Sequence, residues 1–174
     1  PEFQMGPMVE HMAGLMALRM ANAELIPYNL NRYAVDLKLH FTNAINKIKG
    51  YDQNFEGFNS STAAIRSLEV TSKILTTQLQ SFLEEGGHSK KDQRALNQQL
   101  ISLEKSFLSE QGMYFGKWYK SLYASSDPFS GYAAWILPGL EYEIALKSSD
   151  RLEEWDTRYT AAISSLELKM KQIL

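Results

Sequence analysis

The residues able to bind a metal or act as nucleophile and base are few and scattered. His11, His40 and His88 fall on three separate segments, and no His-Glu-x-x-His pair sets two imidazoles on one helix face as a zinc site requires. Cysteine is absent, which removes disulfides and thiolate ligands. Met8, Met12, Met16 and Met20 recur every four residues, a spacing that could offer thioethers to copper. The plainer reading is a core stripe, because methionine fills irregular gaps. Gly86-Gly87-His88-Ser89-Lys90-Lys91 could hold an anion at a helix start, but it also describes a solvated turn. No Gly-x-Ser-x-Gly elbow or Gly-rich phosphate loop occurs, and no two carboxylates pair as acid and base. We therefore expect no catalysis, no metal site and no cofactor in this chain. Asn59-Ser60-Ser61 fits the N-glycosylation acceptor pattern, which has a mechanism only if the chain enters a secretory lumen. A helix cap is its plainer role.

The most unusual stretch is Lys117–Tyr142, rich in aromatic rings, interrupted by Pro128, Gly131, Pro138 and Gly139, and following neither helical nor strand periodicity. Long loops in compact domains are functional or disordered, and this density of large rings argues for an ordered, packed loop. Around it the chain reads as helix. Met8, Met12, Leu15, Met16 and Ala23 share a face up to Pro27. Leu30, Ala34, Leu37, Phe41, Ala44 and Ile48 step by three and four until Gly50. After a connection over Tyr51–Phe58, Asn59, Ser60 or Ser61 can cap a third helix with the seam Ile65, Leu68, Ser72, Leu75, Leu79 and Phe82. Ser89 with Asp92 suggests a capping box for a fourth, antiparallel to the third, with the seam Leu96, Leu100, Leu103 and Phe107, ending near Gly112. Pro138 suits the first position of a short fifth helix reaching Lys147. Asp150 with Glu153 opens a sixth with the seam Leu152, Trp155, Tyr159, Ala162, Leu166, Met170 and Ile173. No period-two stretch is long enough to propose a sheet. The predicted class is all-α, a bundle of about five to six helices with one long ordered aromatic loop.

The chain has 174 residues, enough for one domain with a real core. A net charge of -2, with basic residues dispersed, provides no field for nucleic acid. The apolar runs fall short of a membrane span and no signal-peptide pattern opens the chain, so a soluble domain with no membrane contact of its own is expected. Residues 1–7, Pro-Glu-Phe-Gln-Met-Gly-Pro, resemble a vector-derived remnant, which leaves 8–174 as the domain. Leu39, Ile74, Ile101 and Leu108 are large apolar residues off the helical seams. They are candidates for a two-fold dimer interface.

Ala21-Asn22 with Leu25, Pro27 and Arg32-Tyr33-Ala34, then Leu103-Glu104 with Phe107-Leu108, then Leu122-Tyr123-Ala124, Tyr132 and Pro138-Gly139-Leu140, resemble in order and spacing the transferrin receptor and glutamate carboxypeptidase family. From about Met8 onward the chain is similar to that family's C-terminal helical dimerisation domain. The resemblance implies homodimerisation and support of an upstream peptidase-like domain, with an inserted apical domain. It implies a membrane-anchored parent whose domains face a lumen or the outside, in the secretory system, vacuole or plasma membrane. Zinc would belong to the absent peptidase domain if the parent is active. Tyr132 matches a tyrosine that helps hold a substrate's terminal carboxylate in glutamate-selective members. The lysine that precedes that tyrosine is Gly131 here, which removes the ammonium a carboxylate would pair with. The usual histidine is Lys120, and the usual Phe-Pro-Gly is Leu137-Pro138-Gly139. Two other roles are compatible with the resemblance: a receptor or adaptor module binding another protein, and a part that completes the substrate pocket of an active zinc carboxypeptidase.

Overall fold

The structure, a computed structural model, describes residues 5–174; of the expected vector remnant at residues 1–7, residues 1–4 lie outside the described residues and 5–7 form the start of the first helix. Among the described residues six α-helices run α1 (Met5–Asn22), α2 (Asn31–Lys49), α3 (Asn59–Glu85), α4 (Lys90–Ser102), α5 (Pro138–Leu146) and α6 (Leu152–Ile173). A 3-10 turn over Leu103–Phe107 continues α4, and two short strands, β1 (Ala124–Ser126) and β2 (Ala134–Ile136), lie between it and α5.

The core is built where the apolar steps of three and four are longest. All six α2 seam residues from Leu30 to Ile48 are buried, as are Leu152, Trp155, Tyr159, Ala162, Leu166 and Met170 of α6. Between them α3 contributes Ile65, Leu68, Ser72 and Leu75. Polar contacts fix how the helices run. The Ser72 hydroxyl at the middle of α3 bonds Asn31 at the start of α2, while Phe58 just before α3 meets Phe41 farther along α2, so these two are antiparallel. The α3–α6 pair is parallel: Ser61 meets Asp156 and Thr160 near their starts, and Ser67 and Thr71 donate to Glu167 farther along. Phe41 stands edge-on to both Phe58 and Tyr159, with centroids 5.5 and 5.6 Å away, and closes the centre.

Several expectations are corrected. The α1 stripe of Met8, Met12, Leu15 and Met16 is not core: no residue of α1 is buried, and Ala23 just beyond it is exposed too. Apolar content marks a surface that wants covering, but its cover is not among the described residues. The fourth helix stops at Ser102 rather than Gly112: the chain tightens into the 3-10 turn, which eclipses Leu103 with Ser106 and leaves both buried with Phe107, and the Lys169 ammonium donates to Ser102 O at this end. The start of α3 is capped by neither Asn59 nor its serines. The Asp156 carboxylate accepts from the Ser60 and Ser61 N–H groups at 3.2 and 2.8 Å. The last helix begins at Leu152 without a side-chain cap, so the Asp150–Glu153 start is not used. Of the Ser89–Asp92 box the capping arm forms, Ser89 Oγ accepting from the Asp92 N–H at 3.2 Å, while the Asp92 carboxylate accepts from the Ser89 hydroxyl and not from its backbone N–H. The suggested anion turn is occupied by its own ring stack, His88 lying on Phe82 at 3.5 Å.

Candidate interaction surface

The segment Ser109–Tyr114 that leads into the aromatic stretch is tied to the last helix. Arg158 donates to Ser109 Oγ and Gly112 O while its guanidinium lies 4.3 Å over the Trp155 ring. Arg151 sits 4.3 Å over the Tyr114 ring, and the Tyr114 hydroxyl bonds Glu154. Gly112 must be glycine here: its φ is +68°, and an added Cβ would stand 2.3 Å from Lys117 O. Farther on, β1 and β2 form an antiparallel hairpin with Ala124 opposite Ile136 and Ser126 opposite Ala134. The expectation of no sheet is thus corrected by a hairpin whose strands are too short to show a period.

One carboxylate organises the hairpin's end. Asp127, 5% exposed, accepts from the Ser130 hydroxyl and from the N–H groups of Phe129, Ser130 and Ala133. The Ser130 bonds, with those of Phe129 and Ala133, pull its pKa down to about 2. Held this way, the turn presents Phe129 at 66% and Tyr132 at 97% exposure, with Trp118 at 78% nearby in sequence. Tyr132 is therefore not a packed loop aromatic; it stands at the tip. A carboxylate with a depressed folded pKa contributes stability fully above its unfolded value near 3.9 and loses it as pH falls toward the folded value. Acid titration followed by tryptophan fluorescence should therefore show a local opening of the turn between about pH 4 and pH 2. In Asp127→Asn that step should be absent.

The four dimer candidates do not share one element. Leu39, 54% exposed, stands one turn from exposed Val35 on α2; Ile74, 47% exposed, one turn from exposed Val70 on α3; Ile101 is half-buried. Leu108 lines a cavity of about 570 Å³ with Tyr28, Arg32, Tyr33, Asp36 and Tyr123. Burial raises the pKa of the Tyr33 and Tyr123 phenols there, and Arg32 is paired with Asp36. Asp127, Trp118, Phe129 and the bare face of α1 escaped sequence reasoning. An Asp-Pro-x-Ser run was the signal for Asp127, since aspartate before a turn accepts from the following N–H groups.

Among the described residues no group of three or more His, Cys, Asp or Glu could hold a metal, and no helix is long and apolar enough to cross a membrane. The family model described as the transferrin receptor-like dimerisation domain matches residues 39–171. A probable glutamate carboxypeptidase of Arabidopsis thaliana, LAMP1, is 27% identical over 141 residues, 81% of this chain and 20% of its own length. A probable glutamate carboxypeptidase of Zea mays, VP8, is 26% identical over 149 residues, again 81% of this chain and 20% of its own. The chain thus spans about a fifth of the relatives it matches.

Proposed function

The chain belongs to the transferrin receptor-like dimerisation domain family, and from that premise we propose that it pairs with a second copy of itself and buttresses a peptidase-like domain elsewhere in its own protein. The observation that carries the buttressing is α1. It is apolar nearly all round, with Met8, Val9, Met12, Leu15, Met16, Leu18 and Met20 all exposed, and a helix of that kind is normally buried. Burying each such side chain is worth about 1.5–3 kcal/mol, so a covering surface from the rest of a longer protein would hold α1 firmly. Relatives about five times as long as the matched segment supply room for such a surface.

Family membership supports pairing, and the exposed Val35–Leu39 and Val70–Ile74 pairs leave apolar area for it. If the parent is an active carboxypeptidase, zinc sits in the absent domain and Tyr132, at its exposed tip, reaches the substrate pocket. The parent would then be membrane-anchored, with this domain on the lumenal or extracellular side. The chain itself is not catalytic in this reading.

Sedimentation equilibrium from low micromolar to several hundred micromolar tests the pairing. We expect a concentration-dependent monomer–dimer equilibrium, and a strictly monomeric mass throughout would overturn the homodimer. The same chain shortened to begin at Ala23 should keep its helical spectrum and melting temperature, because α1 buries nothing, while losing affinity for hydrophobic dyes. Lower stability after that deletion would sink the claim that α1 serves only an external surface.

A further inference from the structure

We propose that Asn59 is an N-glycan acceptor, carrying an oligosaccharide in the lumenal setting inferred above, on which its natural occupancy rests. Asn59-Ser60-Ser61 is the one Asn-x-Ser/Thr triplet in the sequence, and its middle residue is not proline. The competing explanation for an asparagine here is a helix cap, and the structure removes it. Asp156 of α6 takes both the Ser60 and Ser61 N–H groups, α3 has no side-chain cap of its own, and the Asn59 carboxamide forms no hydrogen bond to any described residue. Its side chain is exposed at the head of the α3 line Asn59, Ala63, Arg66, Val70, all facing outward. A bulky solvated group can stand there without touching the core.

In the transfer, the Asn59 amide nitrogen bonds to the anomeric carbon of an oligosaccharide linked to a lipid pyrophosphate. The anomeric C–O bond breaks with its electron pair leaving on the phosphate, and one amide proton goes to base on the cell's transferase. The hydroxyl of Ser61, the third residue of the triplet, restricts when this occurs. Ser61 is fully buried, its Oγ donating to Asp156 O at 3.1 Å and lying 3.2 Å from Thr160 Oγ1. A transferase that reads that hydroxyl must act before α3 docks on α6. At 1.5 Å per residue Asn59 stands about 16 Å along α3 from Val70, so pairing of copies around Val70 and Ile74 must leave the head of α3 open.

The test uses the full natural protein in a glycosylating host, once as it is naturally targeted and once behind an added cleavable leader that forces lumenal entry. Peptide mass spectrometry after peptide-N-glycosidase reads conversion of Asn59. Conversion in both forms supports the acceptor and the lumenal reading together. Conversion only behind the leader supports the acceptor and overturns the lumenal reading. An unmodified Asn59 behind the leader overturns the proposal and leaves the lumenal reading untouched. Asn59→Gln should lose the glycan without change in helicity or melting temperature, and the purified folded chain should be refused by the transferase; modification of folded chain would overturn the restriction to nascent chain.

Discussion

Replacing Trp155 by alanine is expected to lower the unfolding free energy by about 3–5 kcal/mol, a large share of what a domain of this size possesses. Trp155 has no exposed surface, and every side of the indole is used. Gly139 lies so close that an added Cβ would stand 2.5 Å from the ring, Tyr114 meets it edge-on at 5.8 Å, and Arg158 covers it at 4.3 Å. These partners come from α5, the segment just before the aromatic stretch and α6, so one truncation loosens the seat of all three. Collapse cannot fill the space cheaply, because Gly139 has no side chain to move. In urea, the midpoint should fall with the slope unchanged. A loss under about 1 kcal/mol would mean that the ring is not the joint between α5 and the bundle. The opposite substitution, Gly139→Ala, pushes a methyl into the same ring and should also destabilise, by about 1–3 kcal/mol, because a packed core cannot absorb it.

How far the sequence predicts this molecule depends on how local each cause is. The α2 and α6 seams were readable because one helix's period repeats over five or more turns, and every other reading would strand those side chains in water. Met8, Met12 and Met16 followed the same rule and misled, because periodicity reports that a face is apolar and says nothing about which surface covers it. The hairpin was invisible for a different reason: three residues per strand carry no period, and its shape depends on Asp127 gathering four donors. The cap on α3 could not be seen because Asp156 is distant in sequence, and Asn59 looked like the local solution. Tyr132 was found by resemblance and by nothing in its own neighbourhood. Its exposure follows from the turn that Asp127 holds, which local chemistry does encode.

Arg151→Met should cost about 3 kcal/mol, toward the low end of what breaking a buried ion pair costs, because Arg151 is itself one-third exposed. Its partner Glu143 has no exposed surface; one carboxylate oxygen accepts from the Arg151 guanidinium at 2.8 Å and, more weakly, from the Trp155 indole N–H at 3.4 Å, and the other has no hydrogen-bond partner among the described residues. Removing Arg151 leaves a charge in a site whose one remaining donor is an indole. It also lifts the guanidinium off Tyr114, so the segment around Tyr114 should become more mobile in hydrogen exchange. The loss is chiefly the penalty on Glu143 and not the worth of the bridge. Glu143→Gln combined with Arg151→Met should therefore be more stable than Arg151→Met alone, although it carries one more substitution. Additive losses in that cycle would show that the carboxylate is satisfied without Arg151, and the mechanism would then be packing of the arginine stem on Tyr114.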